Sequence, residues 1–181
     1  GSYSHEAIVG RMNADLAKDL GNLAQRSLSM INKNCGAKVP VCGPLSEADQ
    51  VMLDSAKALL EECRAQHRAY AISKSMDAIW KVVADANRYF AGQEPWALKK
   101  TDPARMETVL YVTAEVLRRV GLLIQPYVPV SAARLLDLLA VSETSRSFAH
   151  FEEALQAGTP LPAPSPVFPR YIEPEAEAAK A

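Results

Sequence analysis

The chain has 181 residues, 49% hydrophobic and 23% charged, which suits one soluble domain, or a domain with a tail, large enough to bury a full core. Twenty Lys and Arg against twenty-one Asp and Glu leave a formal net charge of −1, which speaks against a broad phosphate grip on duplex nucleic acid but not against reading a few single-stranded bases. Three cysteines without CxxC spacing speak against zinc or a disulfide framework. No basic segment leads into an apolar run at the N-terminus, so a reducing, cytoplasmic setting is expected.

The first element is an amphipathic helix from about His5 to Asn34. Val9, Met12, Leu16, Leu20, Leu23 and Met30 recur at three- and four-residue steps and form one stripe. Asp15, Lys18, Asn22, Arg26, Ser29 and Lys33 fall on the opposite side, so Asn22 and Arg26 stand one turn apart and face solvent. An amide that donates and accepts, beside a planar fork of five donors, is equipment for reading the edge of a flat polar ligand such as a base. The same pair also suits the plain solvated face of a packed helix.

Gly36 is the expected stop of this helix, and Pro40, Gly43 and Pro44 mark a loop. Ser46 reads as an N-cap ahead of Glu47 and Asp49, opening a second helix to about Arg68 with Met52, Ala56, Leu59, Leu60 and Cys63 inward. A third runs from about Ile72 to Phe90 on Met76, Ile79, Trp80, Val83, Ala86 and Phe90. Asn87 lies on that apolar side and must find partners for its amide, which makes it structural. Pro95 pushes Glu94 out of the α region and ends the helix, leaving Trp96 in a post-helix loop.

Asp102-Pro103 opens a fourth helix, with Leu110, Ala114, Leu117, Val120 and Ile124 inward and Pro126 as its stop. Pro129 starts a fifth through Ala132, Leu135, Leu136 and Leu139. A short sixth is expected over roughly Ser147 to Gln156, with Phe148, Phe151 and Leu155 on one face. From Gly158 onward Pro160, Pro162, Pro164, Pro166 and Pro169 favour an extended chain, held by Val167-Phe168 and Tyr171-Ile172, and Glu173 to Ala181 reads as frayed. Strand signals are absent. The expected architecture is an all-α antiparallel bundle of about five to six helices (residues 1–158) with a Pro-rich extended tail (159–181). The apolar uncharged run Val120 to Ala133 contains two prolines and is too short to cross a bilayer, so no membrane role is expected.

Catalytic constellations are missing. His5, His67 and His150 are far apart, and no Glu-x-x-His pair, GxxxxGK[ST] or GxGxxG occurs. Cys63 and His67 are one turn apart, but Cys63 lies on the inner stripe, where packing is the simpler role.

Three segments carry a resemblance: Leu20-Gly21-Asn22-Leu23-Ala24-Gln25-Arg26; Asn87-Arg88-Tyr89-Phe90 followed by Glu94-Pro95-Trp96-Ala97-Leu98-Lys99-Lys100; and Pro166-Val167-Phe168-Pro169-Arg170-Tyr171-Ile172-Glu173. Their order and spacing resemble the C-terminal anticodon-binding domain of methionyl-tRNA synthetase, a class I aminoacyl-tRNA synthetase, over essentially the whole chain. The resemblance implies recognition of the CAU anticodon of tRNA-Met, above all its first base. Asn22 and Arg26 would make edge contacts, Trp96 would offer a face for an unstacked base, and Pro95 would shape the loop. Some family members carry an acidic residue where Ala91 stands here, with Glu94 as the nearest substitute. The catalytic half of such enzymes has HIGH- and KMSKS-type motifs, neither of which is present. The resemblance therefore implies a binding fragment of an ATP-dependent ligase, with no cofactor of its own, ATP and Mg in the full-length enzyme, and a tail that folds back toward its catalytic domain. The competing readings are a helical protein-interaction module working through Phe168 and Tyr171, and the anticodon domain of a sister class I synthetase.

Overall fold

The computed structural model describes residues 14–68 and 72–168 with Ala7 and Gly10, apart from the side chains of 16–17, 66–68 and 72–73. The expectations for His5, Val9, Met12, the side chains of Leu16 and His67, and Pro169 to Ala181 lie outside the described residues. Among the described residues the α-helices that can be bounded are, in order, α1 Gly21–Asn34, α2 Glu47–Arg68, α3 Ile72–Gln93, α4 Pro95–Thr101, α5 Pro103–Leu123 and α6 Pro129–Leu138. A π-turn over Leu16–Leu20 leads into α1. The all-α class read from the helical periodicity is the observed one; among the described residues the strand-like pairing is an isolated bridge between Lys38 and Pro160.

The bundle is built around α5. Every residue from Val112 to Ile124 is buried, and the helix packs on α1, α2, α3, α4 and α6. The expected stripe of Leu110, Ala114, Leu117, Val120 and Ile124 is in the core, but Val112, Val116 and Leu122 on its other sides are buried too. A helix apolar all round belongs inside. Met52, Ala56, Leu59, Leu60 and Cys63 from α2 and Ile79, Val83, Ala86 and Phe90 from α3 join the same cluster.

The predicted punctuation is largely observed. Ser46 and Asp49 form a reciprocal capping box: the Asp49 amide donates to Ser46 Oγ (3.2 Å) and the Ser46 amide to Asp49 Oδ2 (2.9 Å). Asp102 caps α5 by accepting from the Arg105 amide at 3.2 Å, with Pro103 at the first helical position. Gly36, at φ +63°, takes the left-handed conformation that ends α1.

Three expectations are corrected. Asp15 does not face solvent with Asn22; it is half-buried and accepts from Trp80 Nε1 at 3.0 Å. The π-turn adds a residue to the coil between them, so everything ahead of it is rotated relative to α1. The region 147–156 is not a helix but a 3-10 turn at Phe148–His150 followed by irregular chain. The carbonyls a helix would use are taken by α5 side chains: Arg118 donates to the His150 and Phe151 oxygens and Tyr111 to that of Leu155. Phe151 is fully buried while Phe148 is 37% exposed, so they do not share one face. Trp96, finally, is not in a loop but in the first turn of the seven-residue α4.

Beyond the turn the Pro-rich segment lies on the bundle. Val39 donates to the Thr159 oxygen, Gly158 to that of Val39 and Leu161 to that of Ala37, all within 2.9 Å. Val167 is buried and Phe168 packs against the core.

Candidate nucleic-acid interface

Leu23, Ala24, Ser27, Leu28 and Ile31 take the buried face of α1, which turns Asn22 and Arg26 outward, side by side and exposed. Arg26 is not loose. Its Cζ lies 5.0 Å from the centroid of the Phe90 ring, and Nη2 donates to Asn87 Oδ1 at 3.4 Å. Asn87 in turn donates through Nδ2 to the Val83 oxygen on its own helix (3.1 Å) and to the Asp19 oxygen in the π-turn (3.2 Å). The structural role expected of Asn87 is the observed one: it clamps the start of α1 to α3 while orienting Arg26.

Phe90 is 1% exposed and forms the floor of the site. The Trp96 indole packs against the same ring, with ring centroids 5.9 Å apart and planes inclined by 50°. Guanidinium and indole therefore share one buried phenyl ring, and the guanidinium carbon and the indole centre can be no farther apart than those two distances added. Trp96 is 45% exposed, so its indole is open to solvent. Pro95 is buried at the first position of α4, and the chain enters that helix through Glu94 at φ 50°, ψ 56°. A non-glycine residue in left-handed conformation carries a steric cost, and here it makes the sharp corner that sets Trp96 over Phe90.

The corner is backed by a buried polar network. Asp49 in the first turn of α2 is 0% exposed. It receives Arg105 in two bonds (Nη1 to Oδ2 2.5 Å, Nη2 to Oδ1 2.8 Å), the Tyr89 hydroxyl (2.5 Å) and the Ser46 amide. Burial by itself would raise the carboxyl, but the Arg105, Tyr89 and Ser46 hydrogen bonds outweigh it and hold the pKa at about 2. Tyr89, buried beside that anion, is pushed far above the ordinary phenol range and remains a donor. Arg105 Nη2 also donates to Gln93 Oε1 at 2.8 Å, at the end of α3.

A family profile described as the anticodon binding domain of methionyl tRNA ligase matches residues 39–180. The chain belongs to that family. It is similar to the methionine–tRNA ligase of Brucella suis, 66% identical over 174 residues, covering 96% of this chain and 34% of the relative. It is also similar to the methionine–tRNA ligase of Mycobacterium tuberculosis, 51% identical over 179 residues and 97% of the chain. The crystal structure of the apo form of Mycobacterium tuberculosis methionyl-tRNA synthetase superimposes with a TM-score of 0.87 at 50% identity, over 93% of this chain and 35% of that one. This anticodon-binding domain thus spans about a third of the length of the relatives it matches.

The profile match begins at Val39, beyond the helix that carries Asn22 and Arg26, whereas the whole-length similarities run across it. Arg26 and Trp96 meet at Phe90, Pro95 starts the helix of Trp96, and Asn22 stands exposed one turn before Arg26 on α1. Ala91 is exposed there and offers no carboxylate; Glu94 is exposed at the corner itself. Lys99 and Lys100 extend the exposed surface at the end of α4, and Arg88 is paired with Asp85. The sequence reading missed the Asp49–Arg105–Tyr89–Gln93 network, whose one sequence signal was an acidic residue three positions after an N-cap. Cys63 is buried with its thiol pushed up to about 11 by burial, which suits packing and not nucleophilic attack. Among the described residues no group of three or more His, Cys, Asp and Glu side chains is placed to hold a metal ion, and no helix is long and apolar enough to cross a membrane.

Proposed function

We propose that the corner formed by Asn22, Arg26, Pro95 and Trp96 reads the CAU anticodon of tRNA-Met, with the first base as its main determinant. One observation carries the reading: Arg26 and Trp96 both pack against a single buried ring, Phe90, which brings an indole face and an edge-reading fork within reach of one unstacked base. Stacking a base on an exposed aromatic contributes about 1–3 kcal/mol. A guanidinium and an amide then distinguish bases by the donors and acceptors on the Watson–Crick edge. Pro95 fixes the start of α4, so the indole is presented without the entropy of a free loop.

The chain's formal charge of −1 suits this mode, in which a few stacked and edge-read bases carry recognition more than phosphates do. In the longer protein this domain would hold tRNA-Met while a catalytic domain charges it with methionine in the cytoplasm, using ATP and Mg2+ that residues outside this chain would bind. The test is a titration of CAU and first-base-changed anticodon stem-loops followed by tryptophan fluorescence. The CAU loop should bind more tightly, and Trp96→Ala should weaken it by about 1–3 kcal/mol. Equal affinity for the two loops, or full binding by Trp96→Ala, rejects the reading.

A further inference from the structure

Helix α4 is too short to hold itself together. It has seven residues, and isolated helices of that length are unstable in water. Its direction must come from what grips its ends, and both ends are gripped by one residue. On the entry side, Arg105 Nη2 donates to Gln93, the last residue of α3 before the Glu94 corner. On the exit side, Asp102 terminates α4 and accepts from the Arg105 backbone amide. The guanidinium is itself fixed by the bidentate bond to the fully buried Asp49, and Tyr89, next to the floor residue Phe90, bonds the same carboxylate.

We propose that Arg105, braced by Asp49, is a positioning residue for base reading: it sets the angle at which α4 leaves α3 and so the placement of the Trp96 indole against Phe90, the ring that Arg26 also contacts. The inference rests on the anticodon reading above. It adds that discrimination between bases depends on a side chain outside the exposed edge of the site. Only arginine can do this, because its planar fork spans Asp49 and Gln93 together; lysine keeps the charge but cannot hold both acceptors in fixed geometry.

The experiment compares the wild-type domain with Arg105→Lys and Gln93→Leu. The first readout is independent of RNA: 19F NMR of protein labelled with 5-fluorotryptophan, with the Trp96 line assigned from Trp96→Phe. In both variants the Trp96 line should shift or broaden while that of Trp80 stays in place. The second readout is the ratio of dissociation constants for first-base-changed and CAU stem-loops. It should fall at least about fivefold in each variant, and adding Trp96→Ala should bring little further loss, the non-additivity of groups that act through one another. Circular dichroism melts verify folding, and Gln93→Leu, which leaves the Asp49–Arg105 pair intact, serves should Arg105→Lys unfold. An unmoved Trp96 line with an unchanged ratio in a folded variant overturns the positioning role. A moved line in a protein whose wild type does not discriminate between the loops overturns the base-reading function while preserving the mechanical link. Additive losses of binding from Arg105→Lys and Trp96→Ala reject coupling and leave Arg105 a stabilising residue only.

Discussion

Arg105 and Arg118 lie on the same helix and each grips a buried carboxylate, yet the two clusters have opposite electrostatics. Asp49 belongs to another helix and receives four hydrogen bonds from two side chains, Arg105 and Tyr89, and a backbone amide, so its charge is held with a pKa of about 2. Glu115 sits one turn from Arg118 on α5 itself, and burial pushes its carboxyl above the ordinary range even with Arg118 beside it. The spare donors of Arg118 go to the backbone of residues 150 and 151, not to the carboxylate. Next to it, Arg119 Nε and Nη1 are buried without a hydrogen-bond partner among the described residues; its guanidinium stacks 4.8 Å from the Phe151 centroid. A buried charge is tolerated according to how many donors reach it, not simply whether an opposite charge is near. The first cluster faces an exposed aromatic corner and sets its geometry; the second fixes the path of a covering segment.

The sharpest break between the two should come from Arg118→Met. It strands Glu115 and releases the two carbonyls of the covering segment, so urea unfolding should show a loss of about 3–5 kcal/mol. Discrimination between anticodon loops, measured on the folded fraction, should be unchanged. Arg26→Ala should do the reverse: CAU binding weaker by about 1.5–3 kcal/mol by calorimetry, with stability moved by no more than about 0.5 kcal/mol.

The acid side of the comparison is open to pH. Asp49 has a pKa of about 2 when folded, against about 3.9 unfolded, so its contribution is complete above about pH 4 and is lost as pH falls toward 2. The stability gap between wild type and Asp49→Asn should shrink by about 2 kcal/mol over that window. A gap that stays constant in acid melts would mean that Asp49 is not the titrating group. The smallest effect is expected from Glu94→Gly, which removes the left-handed cost at the corner and should raise stability by about 1 kcal/mol. If it instead weakens CAU binding, the corner's stiffness serves recognition.

The helices were legible because period, caps and prolines agree: Ser46, Asp102-Pro103 and Pro129 each open a helix where the pattern places one. Asn22, Arg26 and Trp96 could be singled out because their neighbours in the chain form recognisable motifs. Three things lay beyond a local reading. The π-turn has no signature in side-chain type, and periodicity carried across it misplaced Asp15. The 147–156 segment has a helical apolar spacing, but its carbonyls bond to Arg118 and Tyr111 from α5, partners no local window contains. The Asp49–Arg105 pair joins residues 56 positions apart, and the first turn of α2 looked like ordinary dipole-favouring acid.

The π-turn at Leu16–Leu20 has a last implication, an angular one. Each residue added to a helix swings all that precedes it by about 100°. One residue more or fewer in these five positions therefore works as an azimuth setting. Shortening the coil by one would leave Asn22 and Arg26 where they are, yet swing Asp15 away from Trp80 and re-aim the upstream chain. Length in this stretch, more than side-chain identity, governs the heading of what precedes α1.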